Sequence, residues 1–155
     1  MTGRKGIFIS SRKAENIGKP VMQAKMNRGV SMKVIYTKKA PEPAGHYSQA
    51  LIQSGIIYVS GQLPVDPRTG KKNTGSIEEQ ARQALSNVLA IIRAGGSGRK
   101  QILKMTLYIT DISLWDRVNR VYADFFGNHR PARSVVPVKE LHFGFDIEID
   151  AVAAV

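Results

Sequence analysis

Phe145-Asp146-Ile147-Glu148-Ile149-Asp150-Ala151-Val152-Ala153-Ala154-Val155 is the stretch on which the fold turns. Phe145, Ile147, Ile149, Ala151 and Ala153 project to one side, and Asp146, Glu148 and Asp150 to the other, which is the period of two of a β-strand. Beyond Asp150 the polar positions stop, with Val152, Ala154 and Val155 in their place. A sheet face open to water would stay polar, so part of the second face is expected to be covered.

The cover for the first face lies upstream. Ser76 with Glu79 three positions later makes a capping box, and Ile77, Ala81, Ala84, Leu85, Val88, Ile91 and Ile92 recur at helical spacing until Gly95-Gly96-Ser97-Gly98. A second helix is expected to be capped by Ser113 with Asp116, and carries Leu114, Trp115, Val118, Val121, Tyr122, Phe125 and Phe126 before Gly127. Leu103–Thr110 and Ala132–Val138 read as strands on either side of it. Earlier still, Lys33–Thr37, Ser48–Gln53 and Ile56–Ser60 are short strands, separated by Pro41-Glu42-Pro43 and by Ser54-Gly55. Asp66-Pro67-Arg68-Thr69-Gly70 is a turn. The order is β-β-β-α-β-α-β-β, an α+β single domain with two helices on one face of one mixed sheet. With both helices used there, another subunit is the natural cover for the second face.

Composition excludes several classes of function. A length of 155 residues with 43% hydrophobic content suits one domain with a core. No apolar run approaches the ~20 residues of a membrane span. Cysteine is absent, which removes disulfides, thiolate metal sites and a cysteine nucleophile. The net charge of +11 suggests a polyanion partner until it is located. Residues 1–33 hold eight Lys/Arg against the single acid Glu15, a net +7, which leaves +4 for the remainder. Residues 1–31 show no sustained period and read as a basic, disordered leader preceding a domain over 32–155. The same composition fits an upstream start with the initiator at Met22, Met26 or Met32, a transit peptide, or a basic arm touching RNA.

Several motifs carry no chemistry. Gly95-Gly96-Ser97-Gly98 follows a helix, so it caps one and does not cradle phosphate. The interval Gly61 to Gly70 is too long for a phosphate loop, and no Ser or Thr follows Lys71. His46, His129 and His142 lack metal-ligand spacing. Two residues remain. Arg133 opens an otherwise apolar strand, either as a rim charge or as a fork aimed at a carboxylate. Glu148 is either a solvated strand residue or a catalytic acid.

A set of segments carries further information. It comprises Ala44-Gly45-His46-Tyr47-Ser48-Gln49-Ala50, Val59-Ser60-Gly61-Gln62-Leu63-Pro64, the helix segment Glu79–Val88, Val118-Asn119, Tyr122, Phe125-Phe126, Arg130-Pro131-Ala132-Arg133-Ser134 and Ile147-Glu148-Ile149. In order and spacing it resembles the Rid family, the reactive intermediate deaminases also called YjgF or L-PSP endoribonucleases. The resemblance covers about residues 33–155.

It implies a chorismate-mutase-like fold, a homotrimeric barrel with clefts between neighbours, and no cofactor, metal or membrane. It also implies hydrolysis of 2-imino or 2-enamino acids, released by pyridoxal-phosphate dehydratases, to 2-oxo acids and ammonia. Carried over by position, Arg133 would grip the substrate carboxylate and Glu148 would position the attacking water. Ser60 and backbone groups at Gly61 and Val135 would line the pocket, which Tyr47 and Asn119 would shape. The implied location is cytoplasmic, or mitochondrial if residues 1–31 are a transit peptide.

Val135 stands where many members carry Cys, His46 replaces a common Pro, Asp150 a common Glu, and Glu140–Phe145 departs from the usual Leu-Pro-Lys stretch. The range of substrates is therefore left open. A small-carboxylate-binding regulatory trimer with little turnover is one alternative, and a ribonuclease or translation inhibitor is another. No catalytic pair for RNA cleavage and no exposed aromatic-basic stripe is legible, so a nucleic-acid partner is not expected.

Overall fold

A computed structural model describes residues 32–155. The leader expected over 1–31 lies outside the described residues. The chain runs through β1 (Lys33–Ile35), β2 (Ala50–Gln53), β3 (Ile56–Gln62), α1 (Ile77–Ala94), β4 (Ile102–Ile109), α2 (Trp115–Phe126), β5 (Ala132–Pro137) and β6 (Ile147–Ala154). The strands form one six-stranded sheet in the order β1-β2-β3-β6-β4-β5, antiparallel throughout except for the parallel pair β4–β5. The expected element order and the mixed sheet under two helices are both present, with strand ends displaced by a few residues.

The alternation in β6 sets the two faces. Ile147, Ile149 and Ala153 are fully buried beneath the helices, with Met105, Leu107 and Ile109 of β4 beside them. The capping box of α1 forms as expected: Glu79 N–H donates to Ser76 Oγ, and Ser76 N–H donates to Glu79 Oε2 at 2.8 Å. Gly95 is the C-cap of this helix, and a Cβ there would stand 2.7 Å from Cδ1 of both Ile35 and Ile57, so the position favours glycine for close packing on β1 and β3.

The second cap differs from expectation. A single 3₁₀ turn over Ile112–Leu114 precedes α2, which places Ser113 inside a helical turn. Asp111 takes the capping role instead, its side chain accepting from Ser113 N–H at 2.8 Å. Leu114 occupies the N-cap of α2 with no side-chain bond.

Four buried polar side chains hold the loops. Gln49 bonds to the backbone of Thr37, Ala40 and Pro41, which shapes the proline segment between β1 and β2. Asn87 of α1 donates to the carbonyls of Leu63 and Val65 at 3.0 Å each, while Gln80 receives Asp146 N–H and donates to Gly75 O. Gln62 donates to the carbonyls of Ser60 and Gly61. Each satisfies backbone groups that burial would otherwise leave without partners.

The opposite sheet face has no helix among the described residues. Across it Val34 pairs with Leu51, Leu51 with Tyr58 and Tyr58 with Val152, an apolar row spanning four strands. Val34 is 65% exposed and Tyr58 51%.

Candidate functional site

Two clefts hold nearly all of the residues singled out in the sequence. The first is built on a bulge in β3. Pairing with β6 runs through Val59↔Ala151 and resumes at Gln62↔Ile149, so Ser60 and Gly61 sit where β3 has one residue too many. Bulges of this kind re-aim side chains near functional sites. The Ser60 hydroxyl donates to Ser48 O at 2.7 Å, and Ser60 N–H donates to Gln49 O at 3.0 Å.

Glu148 arrives on β6, and its carboxylate lies directly over Gly61. A Cβ at Gly61 would stand 2.0 Å from Glu148 Oε1 and 2.9 Å from its Cδ. Glycine is thus required here for close approach. Together with Tyr47, Ala44, Gly45, Leu63, His142 and Phe143, these residues enclose about 660 Å³. Burial is the main cause that pushes the Glu148 carboxyl above its usual range of about 4.5, assisted by Asp150 and opposed by His142. A carboxylate of raised pKa is a better proton acceptor.

Gly61→Ala should displace that carboxylate at little cost to the fold, because the obstructed atoms belong to a side-chain tip. For the imine hydrolysis that the sequence resemblance implies, a fall in kcat/KM of about tenfold with a nearly unchanged Tm is expected, since small misplacements of reacting groups are costly. An unchanged kcat/KM would show that the carboxylate position is immaterial.

The second cleft, about 530 Å³, lies between α2 and the β5 edge, and Asn119, Tyr122, Arg130 and Arg133 are among its lining residues. Arg133 pairs in register with the fully buried Met105, so its side chain leaves β5 on the helix-covered face. There its Nη1 donates to Asn119 Oδ1 at 2.9 Å, and the guanidinium lies 4.7 Å from the Tyr122 ring centre and 5.6 Å from that of Trp115. Among the described residues it has no carboxylate within ion-pair distance, the pairs present being Arg68–Asp66 and Arg117–Glu78. The result is a permanently charged, oriented fork with its other N–H groups free for an anion. Burial pushes the Tyr122 hydroxyl up to about 12, Arg133 opposing it, so the platform stays neutral.

Trp115, Asn119 and Tyr122 share one helical stripe at i, i+4 and i+7, which was available from spacing. His142 and Phe143 were legible only as a departure in sequence. Their turn depends on Phe143 adopting φ 63°, a conformation that spacing does not reveal. Val135 lines neither cleft; its side chain packs against the core two positions along β5 from Arg133.

Within one chain the two clefts stay apart. Glu148 stands on the open face of the sheet and Arg133 on the helix-covered face, with β4 between their strands.

Comparison with known proteins agrees with this architecture. Residues 37–155 match the family model described as endoribonuclease L-PSP. A RutC family protein of Pyrococcus horikoshii is 42% identical over 120 residues, which cover 77% of this chain and 95% of that protein. The human protein named 2-iminobutanoate/2-iminopropanoate deaminase is 40% identical over 121 residues, 78% of this chain and 88% of its own length. The crystal structure of E. coli TdcF with bound serine matches with a TM-score of 0.76 at 39% identity, covering 79% of this chain and 98% of that one. On the sequence match, the sheet order and the shared fold together, the chain belongs to the endoribonuclease L-PSP family, the group that also carries the names YjgF, RutC and Rid.

Proposed function

We propose that this protein hydrolyses 2-imino and 2-enamino acids to 2-oxo acids and ammonia, at sites shared between the subunits of a homotrimer. The observation that carries the reading is the division of labour between the two clefts. A free guanidinium fork suits a carboxylate, and a buried carboxylate over a glycine suits a water to be deprotonated, but one chain holds them on opposite faces of its sheet. A ligand that uses both therefore lies where the Arg133 edge of one subunit meets the Glu148 cleft of the next. The apolar row Val34–Leu51–Tyr58–Val152 supplies the surface for such an assembly.

The chemistry suits these groups. An imine carbon is already electrophilic, so orientation and a proton acceptor are enough. Arg133 holds the 2-carboxylate in plane. Glu148 takes a proton from water as its oxygen bonds to the imine carbon, and returns that proton to the imine nitrogen. Glu148 then takes the hydroxyl proton of the carbinolamine and passes it to the amine as the C–N bond breaks, leaving the 2-oxo acid and ammonia. The relative named 2-iminobutanoate/2-iminopropanoate deaminase supports the substrate class, and the relative with bound serine supports a small amino-acid-like ligand.

The direct test generates an imino acid in situ with an amino-acid oxidase and measures 2-oxo acid release with and without the protein. No acceleration, together with tight calorimetric binding of 2-oxobutyrate, would replace turnover by a regulatory binding role. Light scattering at micromolar concentration should give three times the 17.1 kDa chain, about 51 kDa. A monomer would contradict a shared site.

A further inference from the structure

We propose that Phe143, with Tyr47 in the same cleft, selects imines bearing a large apolar or aromatic side chain over two- and three-carbon ones. This rests on the deaminase reading above and names the substrate class of that site. Phe143 adopts φ 63° and ψ 16°, a left-handed conformation that is unusual for a bulky side chain. The residue is nevertheless 51% exposed within its own subunit, so burial in the subunit core does not offset the strain. An outlier of this kind, standing at a cleft, points to a role in the cleft and not in the core.

The ring is also held in place. Lys72 Nζ lies 3.7 Å from its centre, and His142 and Phe145 meet it edge-on with centroids 5.7 Å and 6.1 Å away. Tyr47, 50% exposed, is the second aromatic of the cleft, and its hydroxyl accepts from Ala44 N–H. Ala44 and Leu63 add to the apolar lining, while the polar groups are Ser60, Gly61, Glu148 and His142.

Within one subunit the cleft measures about 660 Å³, so even with a neighbouring subunit closing one side it exceeds what a three-carbon imine fills. A second space of about 230 Å³ shares the Phe143 and Tyr47 walls and is lined further by Pro41, Val65, Glu42, Gln62 and Lys72. With the reacting carbon at Glu148, the side chain of the imine has a space walled by Phe143 and Tyr47 to enter. Small imines would leave that space wet and gain nothing from it.

The test compares wild type with Phe143→Gly, which suits the positive φ and removes only the ring, and with Lys72→Ala, which removes the cation from the ring. Imines of phenylalanine and alanine are generated in situ. The ratio of kcat/KM for the phenylalanine imine to that for the alanine imine should exceed one in wild type. It should fall about tenfold in Phe143→Gly and by a smaller factor in Lys72→Ala. Calorimetry with phenylpyruvate and pyruvate should show the same change of ratio. Hydrolysis of both imines with a preference for the small one, or a ratio unmoved by Phe143→Gly, overturns the proposal and leaves the deaminase reading standing. No hydrolysis of either imine, but a phenylpyruvate preference lost in Phe143→Gly, upholds the aromatic wall and removes the deaminase reading. Binding of neither acid overturns both.

Discussion

Arg133→Lys should weaken 2-oxo acid binding roughly tenfold to a hundredfold without unfolding the protein. A charge-assisted hydrogen bond is worth roughly 1.5–3 kcal/mol, and each 1.4 kcal/mol is about tenfold in affinity. Lysine keeps the charge, but it is a point donor on a flexible stem, with neither the planar fork nor the flat face that lies against Tyr122 and Trp115. It would also change the contact with Asn119 Oδ1. The side chain is half-buried at the sheet edge, where the core does not depend on it. Titration of 2-oxobutyrate by calorimetry beside a thermal melt separates binding from folding. Affinity equal to wild type would return Arg133 to the status of a rim charge.

Glu148→Gln is expected to have the larger effect, on a different quantity. If the carboxylate takes the proton of the attacking water, kcat should fall roughly 10²–10⁴-fold, while 2-oxo acid affinity changes little. The pH dependence follows from the raised pKa. The group acts only when ionised, so kcat/KM should decline as pH falls through a value above 4.5, and the variant should lack that limb. His142 and Asp150 face the same carboxylate and share in placing the limb.

Stability takes the opposite sign. The folded protein binds this proton more tightly than the unfolded chain, so the contribution of Glu148 is present at low pH and lost as pH rises through the raised value. Removing the charge should therefore raise Tm slightly at neutral pH. A variant turning over at the wild-type rate would remove the water-activating role and leave only a binding pocket.

These two side chains show what each level of description contributes. The faces of β6 followed from alternation alone, because a strand in contact with a core cannot exchange its sides. Ile147 and Ile149 went in and Glu148 out, as read. Helix α1 was equally legible, since its capping box and its apolar stripe are both local patterns. The start of α2 was not: an added 3₁₀ turn moved the cap from Ser113 to Asp111, and several residues nearby could have filled that role.

The sequence by itself therefore determined the element order, the buried face and the family, because period, caps and motif spacing are properties of neighbouring positions. It also marked Arg133 and Glu148 as the charges to explain. Only the tertiary structure decided where those charges stand. The bulge at Ser60-Gly61 lies where the pairing of β3 with β6 shifts register, and the glycine beneath Glu148 matters only once these two residues, 87 positions apart in the chain, lie side by side. The parallel pairing of β5 with β4 sent Arg133 to the helix face, away from Glu148, and the left-handed Phe143 brought an aromatic ring to the other cleft. Long-range register and backbone sign are set by packing of the whole chain, and no local pattern encodes them.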